Sequence, residues 1–134
     1  MSVAARWEGL APELKSVLRI VCGFLFMQHG LQKLAGWPVP MPDGATVSLM
    51  SQTGIGGVLE AVGGFLLLIG LFTRPVAFIL AGEMAVAYFQ FHAPGDIWPM
   101  VNHGEPAVLY CFIWLYFSAA GAGPWSVDAM MKKR

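Results

Sequence analysis

The residues of this chain best suited to chemistry lie inside its apolar stretches rather than between them. Glu60 is flanked by Gly56, Gly57, Gly63 and Gly64 at spacings of three and four, which puts the carboxylate and the glycines on one helical face. His29 and Lys33 stand one turn apart in another apolar stretch. A rise of about 1.5 Å per residue sets Glu60 about 9 Å below the end of its stretch, level with His29 and near Lys33. A carboxylate meeting an imidazole and an ammonium at that depth can hydrogen-bond a ligand or exchange protons with it. It can equally serve packing alone, and the sequence leaves both readings open.

Around the same depth fall Tyr88, Gln90, His92, His103, Glu105 and Tyr110, with Trp114 a turn deeper. Together they predict a polar pocket rimmed by aromatic rings that opens at one end of the molecule. Its ligand-binding candidates are His29, Lys33, Glu60, Tyr88, His92, His103, Glu105, Tyr110 and Trp114. The histidines and carboxylates are donor types found in transition-metal sites. No His-x-x-x-His or Glu-x-x-His pairing sets two strong ligands on one turn, so no metal is expected. Arg19 and Glu83 fall at matching depths in the other half, where they are expected to form a structural charge pair that fixes helix register. Cys22 and Cys111 lie far apart inside apolar stretches and suggest neither a zinc site nor a redox dithiol.

The elements that carry these groups follow from where the apolar stretches break. They run over about 14–36, 54–72, 75–92 and 105–121, bounded by Trp37-Pro38, Thr73-Arg74-Pro75, Ala93-Pro94-Gly95 and Gly121-Ala122-Gly123-Pro124. Each is close to the roughly 20 residues that cross a hydrocarbon core. The chain of 134 residues is 57% hydrophobic and 12% charged, against about 25% charged for a soluble domain. The expected fold is all-α, a transmembrane four-helix bundle forming a single domain over residues 1–134, and the first stretch is expected to stay as a span rather than be cleaved as a signal peptide.

Arg6, Lys15, Arg19, Arg74, Lys132, Lys133 and Arg134 all fall on one side of such a bundle, and the loops 37–53 and 93–104 carry no lysine or arginine. The positive-inside rule then puts both termini in the cytoplasm and the pocket on the outer face of a multi-pass inner-membrane protein. Formal net charge is zero. With no basic stripe to neutralise phosphates, nucleic acid is excluded as a partner. The lipid bilayer is the expected partner, with a second protein or another copy of the chain as further expectations through the glycine face.

One family combines these features in the same order. The chain resembles the DoxX family in Arg19 with Gly23 and His29-Gly30-x-x-Lys33-Leu34, then Gly56-Gly57-x-x-Glu60-x-x-Gly63-Gly64 and Gly70-Leu71-x-Thr73-Arg74. The likeness continues through Met84-Ala85-x-Ala87, Asn102-x-Gly104-Glu105-x-Ala107 and Gly121-x-Gly123-Pro124-Trp125-Ser126-Val127-Asp128. The resemblance implies a four-helix membrane bundle and an association with redox chemistry. The family is similar to the membrane subunit of thiosulfate:quinone oxidoreductase, and some members accompany oxidative-stress or aromatic-detoxification proteins.

No haem ligand pair, flavin motif or thiol pair is evident in the sequence, so a redox role would draw on a quinone or a partner subunit. The expected function is an accessory membrane component of a redox or detoxification system that binds a quinone or small aromatic molecule. The alternative is a non-enzymatic membrane binding, transport or assembly protein. Whether the chain is itself an enzyme is left open by the sequence.

Overall fold

Four long helices form the body of the protein in a computed structural model that describes residues 1–133. Arg134, counted above among the basic residues, lies outside the described residues. A short helix, α1 (Val3–Glu8), is capped by the Ser2 hydroxyl, which accepts from Ala5 N. The first long helix is α2 (Ala11–Ala35), with Pro12 in its opening turn and Gly36 in the left-handed conformation at its end. Next comes α3 (Gln52–Ile69), where Ser51 Oγ accepts from Gly54 N at 2.9 Å. Thr73–Ala87 form α4, which continues into a π-helical turn at Tyr88–His92. A one-turn helix, α5 (Pro99–Asn102), precedes α6 (Glu105–Ala120), and α7 (Val127–Lys132) closes the chain. The four long helices match the four apolar stretches to within a turn, and among the described residues there is no strand.

Backbones approach most closely between α2 and α3, where glycines from both helices meet. A Cβ on Gly23 would stand 2.7 Å from Leu68 N, and one on Gly64 would stand 2.7 Å from Met27 N. One on Gly30 would run into the Gly57 carbonyl and the Ala61 amide. Contact this close leaves no room for side chains, so the pair packs through its backbone surfaces. The wider space between this pair and the α4–α6 pair is filled by Phe26, Leu67, Leu80, Trp114 and Phe117, each at most 1% exposed. Trp114 sits edge-on to Phe26 with ring centroids 5.4 Å apart and stacks on Tyr110 at 5.9 Å.

Large apolar side chains also cover the outside. Val21 and Phe24 on α2, Val62 and Phe65 on α3, Phe78 and Ile79 on α4, and Leu109 and Phe112 on α6 are all exposed. Among the described residues one helix, Gln52–Ile69, is long and apolar enough by itself to cross a membrane. The others fall short for identifiable reasons. Helix α2 carries Glu13, Lys15, Arg19 and Lys33, the α-helical part of α4 stops at 15 residues before the π turn, and α6 has 16.

Lys15, Arg19, Arg74 and Lys132 gather at one end of the long helices, while Lys33 stands at the other. Lys15 Nζ donates to the Ala120 carbonyl at 2.8 Å and Arg74 to that of Ala119, so two of the unpaired carbonyls that end α6 are satisfied by cations. Arg19, fully buried, donates to Leu67 O at 2.8 Å, to Ala122 O, and to Trp125 O at 2.7 Å. The Arg19–Glu83 pair expected from depth is therefore not formed. The guanidinium reaches toward the helix ends, where the last turn of α3 and the bend after α6 leave carbonyls without intrahelical donors. Glu83 faces elsewhere.

Candidate functional site

At the opposite end, all four long helices contribute to one cavity of about 450 Å³. Helix α2 supplies Phe26, His29 and Lys33, and α3 supplies Gln52, Thr53, Gly56 and Glu60. Spacings of three and four residues keep each set on one face. Glu83 and Met84 come from α4, and Phe91 and His92 from its π turn. His103 precedes α6, and Pro106, Ala107 and Tyr110 line the cavity from that helix itself.

The centre of the site is an ion pair. Lys33 Nζ donates to both Glu60 oxygens at 2.8 Å, with Glu60 only 3% exposed. Glu83 lines the same wall as a neighbour of Glu60. Its Oε1 stands 3.3 Å from where a Cβ on Gly56 would be, and its buried Oε2 has no partner in the protein. The absent side chain at Gly56 thus leaves the Glu83 carboxyl space that a methyl group would crowd. Two carboxyl groups and one ammonium make an acidic, hydrogen-bonding patch in a cavity whose remaining wall mixes apolar and aromatic side chains with His29, Gln52, Thr53, His92 and His103. Aromatic rings enclose it: Tyr110 lies 4.9 Å from Phe26 and 6.2 Å from His29 between ring centroids.

The candidates named from sequence divide cleanly. His29, Lys33, Glu60, His92, His103 and Tyr110 line the cavity. Tyr88, Glu105 and Trp114 do not. Tyr88 turns to the neighbouring loop, donating its hydroxyl proton to Ile97 O at 2.6 Å and accepting from Asn102 Nδ2 at 3.2 Å. Asn102 also donates to Asp96 O at 2.7 Å and accepts from Gly104 N at 2.8 Å, while its own carbonyl lies 3.0 Å from His92 Nδ1. Tyr88 and Asn102 therefore brace the loop that brings His103 to the rim. Glu105 opens α6 as an exposed residue, where its charge favours the positive end of the helix. Trp114 lies behind Tyr110 with no exposure.

Glu83, Phe26, Gln52, Thr53 and Phe91 were missed as wall residues. The spacing of Phe26, His29 and Lys33 along one helical face carried a usable signal for the first of these. For Glu83 no local signal existed, because its neighbours in the wall, Glu60 and Gly56, belong to a different helix.

Replacing Lys33 with methionine leaves the buried Glu60 carboxylate beside Glu83 without a counter-charge. The expected loss is about 3–5 kcal/mol, the usual cost of breaking a buried pair from one side. Adding Glu60→Gln to Lys33→Met is expected to restore most of it, a coupling that thermal unfolding of the four-member cycle measures directly.

Taken together, fold and site define an all-helical protein with one polar patch in an aromatic-walled cavity. The chain belongs to the DoxX family, whose model matches residues 14–93. It is 40% identical over 130 residues to an uncharacterized protein of Haemophilus influenzae, covering 95% of this chain and 97% of that one. An uncharacterized membrane protein of Mycobacterium tuberculosis is 25% identical over 152 residues, covering 99% and 93%. No solved structure matches the chain significantly.

Proposed function

We propose that this chain is a multi-pass inner-membrane protein whose four long helices span the bilayer and whose cavity binds a quinone or another small aromatic molecule for a redox or detoxification system. The observation that carries the reading is the Lys33–Glu60 pair with Glu83 in the wall of an aromatic-lined cavity of about 450 Å³, a size and composition typical of small-molecule sites. Exposed apolar side chains on all four long helices suit a hydrocarbon environment. The relative in Mycobacterium tuberculosis that is named as a membrane protein supports the same environment.

In this reading the end with Lys15, Arg19 and Arg74 faces the cytoplasm together with both termini, and the cavity opens outward. Glu60, Lys33 and His29 hydrogen-bond the ligand's oxygens, and Phe26, Tyr110 and Phe91 pack against its ring. Any electron transfer then belongs to the ligand or to a partner subunit, which makes this chain an accessory component. Equilibrium dialysis of duroquinone against detergent-purified protein tests this role. Native protein is expected to retain the quinone, and Glu60→Gln to bind it at least tenfold more weakly, a difference of about 1.4 kcal/mol. Equal retention by both removes Glu60 from the ligand site.

A second reading, docking of a partner protein or another copy of the chain, has its own support in the loop 93–104. Ile97, Trp98, Met100 and Val101 are all strongly exposed there, a cluster suited to an interface.

A further inference from the structure

The basic end holds a second cavity, of about 600 Å³, between the start of α4, the bend after α6, and α7. Lys15, Arg74 and Lys132 stand in its wall against a single carboxylate, Asp128. Asp128 is already committed to backbone: its oxygens accept from Phe72 N at 2.8 Å and Thr73 N at 2.9 Å, capping α4. Lys15 and Arg74 each donate to one carbonyl of α6, which leaves most of their N–H groups uncommitted. Among the described residues none of the three cations has a carboxylate within ion-pair distance, and the salt bridge formed is Lys33–Glu60, at the other end. The cavity therefore carries a surplus of positive charge.

Two further features say what kind of anion suits it. Thr73, also in the wall, is 1% exposed and its hydroxyl oxygen has no hydrogen-bond partner in the protein. Apolar side chains stand open beside the cations: Phe72 is 55% exposed and Met131 51%, and Phe78, one turn beyond Arg74 on α4, is 66% exposed. A soluble anion has no use for these, whereas an amphiphile does.

We propose that this cavity binds the phosphate ester of an anionic phospholipid, with Lys15, Arg74 and Lys132 on the headgroup and an acyl chain along Phe72 and Phe78. The proposal rests on the membrane reading above, which sets this end at the cytoplasmic leaflet, where anionic lipids attract clustered lysine and arginine.

Native mass spectrometry of the delipidated full chain in detergent tests it, with dioleoylphosphatidylglycerol and dioleoylphosphatidylcholine as probes. Wild type is expected to retain phosphatidylglycerol at least fivefold over phosphatidylcholine. The double variant Lys15→Gln/Lys132→Gln is expected to bring that preference below twofold, while its lipid-free Tm falls by no more than the loss of the single Lys15–Ala120 hydrogen bond entails, because Arg74 is left in place. Equal retention of the two lipids by wild type overturns the proposal, as does a preference that survives the double variant. Displacement of phosphatidylglycerol by millimolar inorganic phosphate also overturns it, in favour of a soluble anion. Alkaline extraction of cell membranes checks the underlying reading separately: a chain that stays in the membrane pellet yet shows no lipid preference loses the headgroup site alone.

Discussion

Gly30→Ala is expected to separate α2 from α3 and to cost about 3 kcal/mol or more, the upper part of the range for overpacking, because its new Cβ meets backbone that no rotamer change can move. In thermal unfolding of the detergent-solubilised protein this corresponds to a drop in Tm on the order of 10 °C. Gly82→Ala is the matched control. Nothing lies within 4 Å of the position its Cβ takes, and replacing a mid-helix glycine with alanine there is expected to stabilise by about 0.5–1 kcal/mol. Opposite signs from one substitution type isolate the α2–α3 contact from helix propensity. A Gly30→Ala protein with the native Tm contradicts the close packing of these helices.

Arg19→Met carries the second large effect. The guanidinium links three segments, α2 that bears it, the end of α3 through Leu67, and the bend after α6 through Ala122 and Trp125. Methionine fills much of the volume but leaves those buried carbonyls without their donor. Each such loss costs about 1–3 kcal/mol, so the sum is expected to reach about 3 kcal/mol at least. Arg19→Lys keeps a charge and some of the donors without the planar fork, and is expected to fall between the two. Equal stability of the lysine and methionine variants would show that the carbonyl contacts contribute nothing.

These two residues mark what was legible in the sequence. Glycine spacing on one face announced a close helix contact, and Gly23, Gly30, Gly57 and Gly64 provide it between α2 and α3. The helices also fell where the apolar stretches ended at proline and glycine. The cap signals at Ser2, Trp98-Pro99 and Ser126 were equally present, yet the one-turn and two-turn helices they start were not anticipated, since such short pieces have no periodicity to read.

Depth along a helix was readable from its rise per residue, and it brought Lys33 to Glu60 correctly. Depth did not say which way a long side chain bends. Nor did it hold for Arg19 and Glu83, which do not match in height at all: Arg19 stands level with Leu67 at the end of α3, whereas Glu83 stands beside Gly56 and Glu60 toward its other end, because helices counted from their own ends are offset along the bundle. Tyr88 had the right depth for the pocket as well, but the loop's need for hydrogen bonds through Asn102 turned its hydroxyl aside. Azimuth and competing partners are properties of the packed whole, and one sequence does not print them.

The central claim is that the cavity at Lys33 and Glu60 holds a small aromatic ligand. Mass spectrometry of organic extracts tests it most directly, comparing native chain purified in mild detergent with Glu60→Gln. A quinone or other aromatic compound is expected at near-stoichiometric yield from the native protein and at a small fraction of that from the variant. Extracts that contain only phospholipid from both proteins would contradict the claim and leave partner docking through the loop 93–104 as the better account.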